Sequence, residues 1–439
     1  MNNSRLLIGM LAASLLSGGV CAYASTPRIV SLDEIFNAAE KGSVQLRPFL
    51  AAENEADREI DVARSSRLPD INANLSVSYI GDGFTTKRDL SDYQKAPIPH
   101  LGTGLGITVE QPVYTGGAVT SSIRLAELKS TAARYATDFQ RDNLRFRLTG
   151  YYLDIYKYSN LRSVVEQNLS QAQQELNRMN ARYEQGTALR NDITRYELLV
   201  SNLELQLVKI NNTLEILNRN LVVTAGLPDD TIVLPDSTIL TQALPVSGEG
   251  WWQEQAVVNS PSLSLARSSL AISRSAETLV NSEKKPKIGL RAGWTIDGPI
   301  LVEVPPINRN LSYWYVGVGV SYNLASLYKT NKAMARSRAA TRKATEQLDA
   351  ARENITLAVH DNYIRYLEAY QEMTTQEKSV ELAERNYHTT STRYNEDMAL
   401  ITDMLDAANS KLDAEQRLVN SRIDILYYYY KLLFTSGTI

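Results

Sequence analysis

The chain has 439 residues, with 46 basic and 49 acidic side chains and a formal net charge of −3 at pH 7. Such a balance gives no general attraction for a polyanion, so it argues against a nucleic-acid partner. The only cysteine is Cys21, which excludes an intrachain disulfide and a metal site built from cysteines.

Residues 1–24 have the pattern of a secretory signal peptide. Arg5 lies in the charged start, an apolar run follows, and Ala22-Tyr23-Ala24 forms a small-x-small cleavage site. The alternative is a lipid anchor on Cys21, but Gly18-Gly19-Val20 before it departs from the usual bacterial lipoprotein pattern. Beyond the signal there is no run of about 20 apolar residues, which excludes an ordinary membrane-spanning helix. Cleavage after Ala24 would make the mature chain begin near Ser25.

The chain is an internal duplication. Residues 109–192 match 320–403 at a constant offset of 211, and the earlier pair Pro69/Pro286 has an offset of 217. We predict a first structural repeat at 25–227, an equatorial linker at 228–249 and a second repeat at 250–439. Because the helical part has the same length in both copies, helix length is predicted to be constrained, as in a part that spans a fixed distance.

Each repeat contains two segments in which apolar and polar residues alternate, as they do in β-strands. They cover residues 71–80 and 102–114 in the first repeat, and 287–296 and 313–324 in the second. At about 10 residues, each is long enough for a tilted strand to cross a bilayer, with apolar side chains in lipid and polar ones in a wet lumen. Four strands cannot close a barrel, so self-association is predicted, and a trimer is favoured. The alternative is a water-soluble antiparallel sheet with one wet face.

Long helices are predicted around these strands. No proline occurs in residues 113–227 or 307–439, and proline costs about 3 kcal/mol inside a helix. The predicted helices cover residues 118–184 and 190–225, then 328–395 and 401–433, with a further helix near 32–67. At about 1.5 Å per residue the first of these is a rod of roughly 100 Å, longer than a compact domain needs.

The helix at 190–225 carries apolar residues at heptad spacing from Ile193 to Leu221, which is typical of coiled-coil packing. In its second copy Lys411 and Ser421 interrupt the heptad, which indicates a seam that faces a different neighbour. An amphipathic helix in an ordinary bundle is the alternative, and the length of the helices argues against it.

No residue pattern indicates catalysis. His100, His360 and His388 are scattered without partners at ligand spacing, so no metal site is predicted. Residues 102–106 are glycine-rich but lack the Lys-Ser/Thr that follows in a phosphate-binding loop. We therefore predict neither an enzyme nor a cofactor.

Several motifs together resemble the TolC-like outer membrane efflux proteins, over essentially all of the mature sequence. They are the opening Ser31–Glu34, the turns Leu68-Pro69 and Lys285-Pro286 into the strands, the strand-to-helix signature Val109–Gly117 and the hairpin tip Tyr183–Thr187. The resemblance implies an α+β membrane protein, a homotrimer whose four strands per chain form a 12-stranded outer membrane β-barrel, continued by a long α-helical barrel in the periplasm.

The resemblance also implies the partners and two departures from the family pattern. The partners would be a periplasmic adaptor (membrane fusion) protein, an inner membrane ABC or proton-driven transporter, and outer membrane lipid. In the second repeat Leu327-Tyr328 replaces the Gly-Gly pair and Asp397 replaces Gly186, so differently shaped turns are expected there.

A gate at the periplasmic end is implied by the same resemblance. Asp403 and Asp406 resemble the family's acidic constriction, and their i, i+3 spacing places them on one helical face, where three copies would give two carboxylate rings that attract cations. The alternative is a pair of solvated aspartates that stabilise a helix start through the macrodipole. Asp192 and Tyr394 match a latch between neighbouring tips, while an arginine of that network corresponds to Ala399 here, so closure is expected to differ.

Gly186, Thr187 and Asp397 are the residues at which the resemblance implies adaptor docking. The predicted function is a passive outer membrane duct with a long periplasmic extension, gated at its periplasmic tip. Type I protein secretion and drug efflux share this component, and the lack of a lipid anchor favours secretion. The rival is a trimeric periplasmic coiled-coil adaptor or a surface adhesin, although neither would carry two copies of a strand pair with a long rod.

Overall fold

The structure is a computed structural model, which describes residues 27–236, 238, 244, 247–303 and 306–439. The predicted signal peptide, residues 1–24, lies outside this part of the chain. The strands are β1 (Pro27–Val30), β2 (Asp70–Tyr79), β3 (Gly83–Thr85), β4 (Gln94–Ala96), β5 (Leu101–Tyr114), β6 (Ile232–Pro235), β7 (Lys287–Gly298) and β8 (Leu311–Ser321). The helices are α1 (Leu32–Gly42), α2 (Arg47–Ser65), α3 (Ala118–Glu184), α4 (Arg190–Ala225), α5 (Glu249–Asn259), α6 (Pro261–Ser282), α7 (Ser326–Asn395) and α8 (Ile401–Ser436).

A four-stranded antiparallel sheet joins the two repeats, in the order β2-β5-β7-β8. Each repeat contributes one hairpin, and β5 pairs with β7 across the repeat boundary. The register brings the alternating apolar side chains into rows, such as Ala73, Ile107, Trp294 and Trp314. Successive side chains point to opposite faces of a strand, so one face of the sheet is apolar and the other polar.

Two small strand pairs lie outside this sheet. β1 pairs in parallel with β6, which falls in the predicted linker, and β3 pairs with β4 in the loop that connects β2 to β5. The sequence prediction of four strands does not include them. Runs of three or four residues are too short to show a period of two.

The long helices α3 and α7 have 67 and 70 residues. α3 begins immediately after Gly117, whose φ of 89° lets the chain turn out of β5 in a conformation that suits glycine. In the second repeat Leu327 and Tyr328 already belong to α7. The residue before this helix, Ala325, has a right-handed backbone conformation with a φ of −67°. This strand-to-helix turn is therefore shaped differently from the first one, as the replacement of Gly-Gly predicts.

The helix predicted near residues 32–67 is two helices in the structure, α1 and α2, with a break at residues 43–46. Pro48 lies in the first turn of α2, where the missing N–H removes no helical hydrogen bond. A Cβ on Gly42 would lie 3.0 Å from the carbonyl oxygen of Gly226, so the end of α1 packs backbone to backbone against the end of α4. The break accommodates a crossing between distant segments, which the pattern of one segment cannot indicate.

The interior follows seams between the helices. The heptad residues of α4 are buried in the seam that includes α3: Ile193, Tyr196, Val200, Leu203 and Ile210. Lys411 and Ser421, which interrupt the heptad in α8, are buried too. α8 packs against α3 as well as against α7, so the interruption marks a second packing partner.

Candidate functional site at the hairpin tips

The two helical hairpins end in turns of the same shape. Gly186 and Asp397, which are 211 residues apart, have φ angles of 75° and 60°, both in the left-handed region. At each turn the next backbone N–H closes the helix end: Thr187 donates to the carbonyl of Arg182 at 2.9 Å, and Met398 donates to that of Arg393 at 2.7 Å. The expectation that Asp397 shapes its turn differently is wrong, because aspartate tolerates the left-handed conformation better than most side chains. Gly186, Thr187 and Asp397 are all exposed.

Arg182 connects the two tips within one chain. Its guanidinium pairs with the carboxylate of Asp397, and Nη1 donates to the backbone carbonyl of Tyr394 at 3.4 Å. The guanidinium carbon also lies 5.8 Å from the centre of the Tyr394 ring, within the range of a cation–π contact. The sequence prediction missed Arg182. The family's arginine corresponds to Ala399, whereas in this chain an arginine of the first hairpin, Arg182, reaches the second tip.

Asp192 and Tyr394, the predicted latch residues, line one cavity of about 350 Å³ together with Arg182 and Ala399. Tyr394 is buried, and burial, followed by the charge of Asp192, raises the pKa of its hydroxyl. Within the described part of this chain no hydrogen bond joins Asp192 to Tyr394. The structure therefore brings the two side chains together, while a hydrogen-bonded latch between copies stays a prediction.

Asp403 and Asp406 lie at the start of α8, and both are exposed. Asp403 Oδ2 accepts a hydrogen bond from the backbone N–H of Leu400 at 3.1 Å, so this carboxylate also caps the helix. Asp406 forms no hydrogen bond or ion pair within the residues that the structure describes. Capping does not consume the negative charge of Asp403, so the proposed rings and the capping alternative are compatible.

The tips rest on a continuous apolar seam. Met179 of α3, Ile193 of α4, and Met404 of α8 are each at most 1% exposed and belong to one cluster that also contains Tyr394 and Ile401. Among the described residues, no group of three or more His, Cys, Asp or Glu side chains is arranged to hold a metal ion. None of the helices in that part of the chain is long and apolar enough to cross a membrane.

Comparisons with known proteins agree with this architecture. The model of the outer membrane efflux protein family matches residues 35–227 and 252–432. Among solved structures, the outer-membrane channel OprN has a TM-score of 0.78 at 15% identity, over 93% of this chain and 90% of that one. VceC, an outer membrane protein from Vibrio cholerae, has 0.77 at 16% identity, over 92% and 96%. The CmeC outer membrane channel of Campylobacter jejuni has 0.73 at 11% identity, over 93% and 85%.

No curated protein matches the chain. At identities this low the solved structures show a shared fold, and the family model adds the sequence pattern, since it covers most of both repeats. The resemblance in the sequence motifs is thereby confirmed: the chain belongs to the outer membrane efflux protein family.

Proposed function

We propose that three copies of the chain form a passive, gated exit duct, with a 12-stranded barrel in the outer membrane and a helical barrel in the periplasm. The duct would receive its substrate from a periplasmic adaptor and an inner membrane ABC or proton-driven transporter. The observation that carries the proposal is the sheet, whose exposed apolar face lies between two edge strands. Val316, Val318 and Val320 of the edge strand β8 are 68–71% exposed. Lipid on that face and further copies at the edges fit this surface, because an unpaired edge is costly in hydrocarbon.

The opposite face of the sheet suits a wet lumen. One row across the four strands consists of Asp70, Glu110, Arg291 and Gly317. Arg291 Nε lies 3.2 Å from Glu110 Oε1, and both side chains are more than half exposed. Charges in this position are compatible with water and not with lipid, which supports the assignment of the two faces.

The helices next to the edge strands carry complementary charge. On α2, Glu55 and Glu59 are each two residues from Asp57, which binds α3, so they lie about 200° round the helix and face away from it. On α7, Lys332 and Lys343 lie on the side away from Thr341, which binds α6. All four charged side chains are exposed and have no ion-pair partner within the described chain. A ring that places β8 beside β2 of the next copy would place these lysines beside these glutamates.

Further from the sheet, two exposed apolar stripes also form a pair of surfaces that could meet between neighbouring copies. One lies on α4 and one on α7, with spacings of seven, eleven and eighteen residues that keep each stripe on one side of its helix. They consist of Leu198, Leu205 and Ile216 on α4, and of Leu357, Ile364 and Leu382 on α7, all 48–63% exposed. Contact between neighbouring copies would cover both stripes at once.

The gate would lie at the hairpin tips. Three copies of Asp403 and Asp406 would give rings of carboxylates at the narrow end, and Asp192 and Tyr394 would hold neighbouring tips together. The contact of Arg182 with Asp397 would take the role of the arginine that is absent at position 399. The turns at Gly186 and Asp397 are exposed and alike in shape, so a repeated adaptor hairpin could dock on both.

Charge reversal tests the ring. Glu55→Lys with Glu59→Lys should lower the fraction of trimer in detergent and the conductance in planar bilayers, because lysines would then face lysines. Adding Lys332→Glu and Lys343→Glu should restore both. Glu254→Lys on the short helix α5 is the matched control, since Glu254 is exposed but not on a proposed interface. A wild-type protein that is monomeric in detergent and does not conduct would exclude the duct.

The substrate route is tested separately, by crosslinking at the tips. Photo-reactive side chains at Thr187 and Asp397 should capture an adaptor protein, while the same probe on exposed Leu198 should capture a second copy of the chain. The inner membrane transporter that co-purifies with the captured adaptor then distinguishes protein secretion from drug efflux. Capture of no envelope protein at either tip position would contradict the docking proposal.

A further inference from the structure

A buried ion pair lies in the seam of α8, at the position where the heptad is interrupted. The side chains of Lys411 and Glu415 are 6% and 15% exposed, and Lys411 Nζ lies 3.3 Å from Glu415 Oε1. Two side chains of α3 satisfy the pair: Gln171 Oε1 accepts from Lys411 Nζ at 3.0 Å, and Asn168 Nδ2 donates to Glu415 Oε2 at 2.6 Å. The Tyr387 ring of α7 lies 5.4 Å from Lys411 Nζ. We call these five residues the lysine cluster.

The lysine cluster is not repeated at the equivalent positions, where only Glu415 has an identical counterpart, the exposed Glu204. At the offset of 211, the position of Lys411 is Val200 in α4, which is buried in an apolar seam. Gln171 corresponds to Leu382 of α7, which is 51% exposed. The cluster therefore belongs only to the second hairpin, and it connects that hairpin to α3 of the first repeat.

A second ionisable group, Glu175, lies on α3 one turn nearer the hairpin tip than Gln171 of the cluster. Glu175 is 1% exposed; its Oε2 lies 2.9 Å from Arg178 Nη2, whereas Oε1 has no hydrogen-bond partner among the described residues. Burial raises the pKa of the Tyr387 and Tyr196 hydroxyls, and the charge of Glu175 raises it further. The contact between α3 and the α7–α8 hairpin is thus polar over more than one turn, although it is buried.

Stability does not account for this arrangement. Desolvation of a lysine and a glutamate offsets much of their mutual attraction, and apolar residues of similar volume often stabilise such a site equally well or better. The polar groups differ from an apolar seam in one respect, since water can hydrate them once the helices separate. A polar seam therefore lowers the cost of moving α8 away from α3 without weakening the seam while it is closed.

We propose that the lysine cluster is a releasable lock, which holds the α7–α8 hairpin against α3 and opens by hydration of its polar groups. The inference rests on the proposed gated duct. Lys411 is ten residues into α8 from Ile401, so the lock lies about 15 Å above the tip and is separate from the contacts there. The tip contact of Arg182 with Asp397 is exposed to salt, because the side chain of Asp397 is 74% exposed, whereas the lock is shielded from it.

Two substitutions with opposite expected effects test the lock. Lys411→Met leaves Glu415 buried without its cation until the seam opens, so the open probability in planar bilayers should rise by about tenfold, a ratio equivalent to ~1.4 kcal/mol. Lys411→Met with Glu415→Met creates an apolar seam, so the open probability should fall below that of the wild type, while thermal stability is unchanged or higher. Lys209→Met, which removes an exposed lysine from α4, is the matched control and should change neither quantity.

The outcomes separate the lock from the duct. If the single and double variants conduct with the wild-type open probability, or shift it in the same direction, the lock is excluded and the duct stands. If the wild type itself does not conduct, the duct is excluded instead.

A cysteine pair gives a second measurement that does not depend on the charged residues. Ala172 of α3 and Ala408 of α8 line one narrow cavity beside the cluster, and Cys21 is the only cysteine of the chain. A disulfide between Ala172→Cys and Ala408→Cys should abolish opening, and reduction should restore it. Opening that persists in the oxidised protein would overturn the lock.

Discussion

The hairpins α3–α4 and α7–α8 have nearly the same backbone but different seams. α4 and α8 both have 36 residues, and the turns before them are left-handed at equivalent positions. In the first hairpin Val200 and Leu203 fill the seam, whereas the equivalent residues of the second hairpin are Lys411 and Ala414. The first hairpin is therefore packed by large apolar side chains, and the second is held partly by hydrogen bonds and an ion pair.

This difference separates two requirements on the chain. The helix lengths, which set the distance that each hairpin spans, and the shape of the turns are nearly the same in both repeats. The seam residues determine how firmly a hairpin is held against its neighbour. The polar contacts of the proposed lock therefore lie in the seam of the second hairpin, whereas the equivalent position in the first hairpin is apolar.

The largest effect is expected from transferring the charge of the second seam to the first. Val200→Lys would bury a lysine in the apolar α4 seam, where Glu204, the equivalent of Glu415, is exposed to solvent, and it should destabilise the protein by about 3 kcal/mol. The reverse change, Lys411→Val, leaves one buried carboxylate that still accepts from Asn168 and should cost less. Denaturant midpoints of the two variants in detergent provide the comparison. Equal losses would contradict the view that the two seams have different chemistry.

The contrast between seams marks the limit of what the sequence predicts here. The bounds of α3 and α4, residues 118–184 and 190–225, follow from proline-free, periodic sequence, and so do the four main strands to within three residues. Lys411 is visible as an interruption, but Gln171, which accepts from Lys411, and Asn168, which donates to Glu415, are about 240 residues away in the chain. The contact of Arg182 with Asp397 also depends on how the two hairpins meet, which is a tertiary property.

A smaller effect is expected at the two turns. Gly186→Ala places a Cβ on a residue with a φ of 75° and should destabilise the first tip by ~1 kcal/mol. Asp397→Gly relieves backbone strain at a φ of 60° but removes the ion pair with Arg182, which is worth at most about 1 kcal/mol because Asp397 is exposed. The gain from the relieved backbone strain and the loss of the ion pair should nearly cancel, so Asp397→Gly should leave the free energy of unfolding almost unchanged.

The turn variants should differ in conductance as well as in stability. Asp397→Gly should raise the open probability at low salt. It should have little effect at 1 M salt, because the Debye length is then only about 3 Å and the attraction between Arg182 and Asp397 is already screened. Gly186→Ala leaves that pair in place and should show no such salt dependence. If Asp397→Gly has the same effect at both salt concentrations, Arg182 and Asp397 do not act as a latch.

The smallest effect concerns a third pair of equivalent positions, Asp142 in α3 and Glu353 in α7. Asp142 is 9% exposed, and burial raises its pKa from 3.8 to about 6, while Glu353 is exposed. Since the folded state holds the proton more tightly than the unfolded state, the contribution of Asp142 to stability falls as the pH rises from about 4 to 6. At pH 7 the ionised carboxylate is a net cost.

Asp142→Asn should therefore raise the free energy of unfolding by ~1 kcal/mol at pH 7, because the amide has no charge to desolvate. The gain should disappear below about pH 4, where the wild-type carboxyl is protonated and resembles the amide. Glu353→Gln, at the exposed equivalent position, should have no effect at either pH, which separates burial from a general loss of negative charge. A gain that is equal at pH 4 and pH 7 would show that packing of the amide, and not the titration of Asp142, stabilises this part of α3.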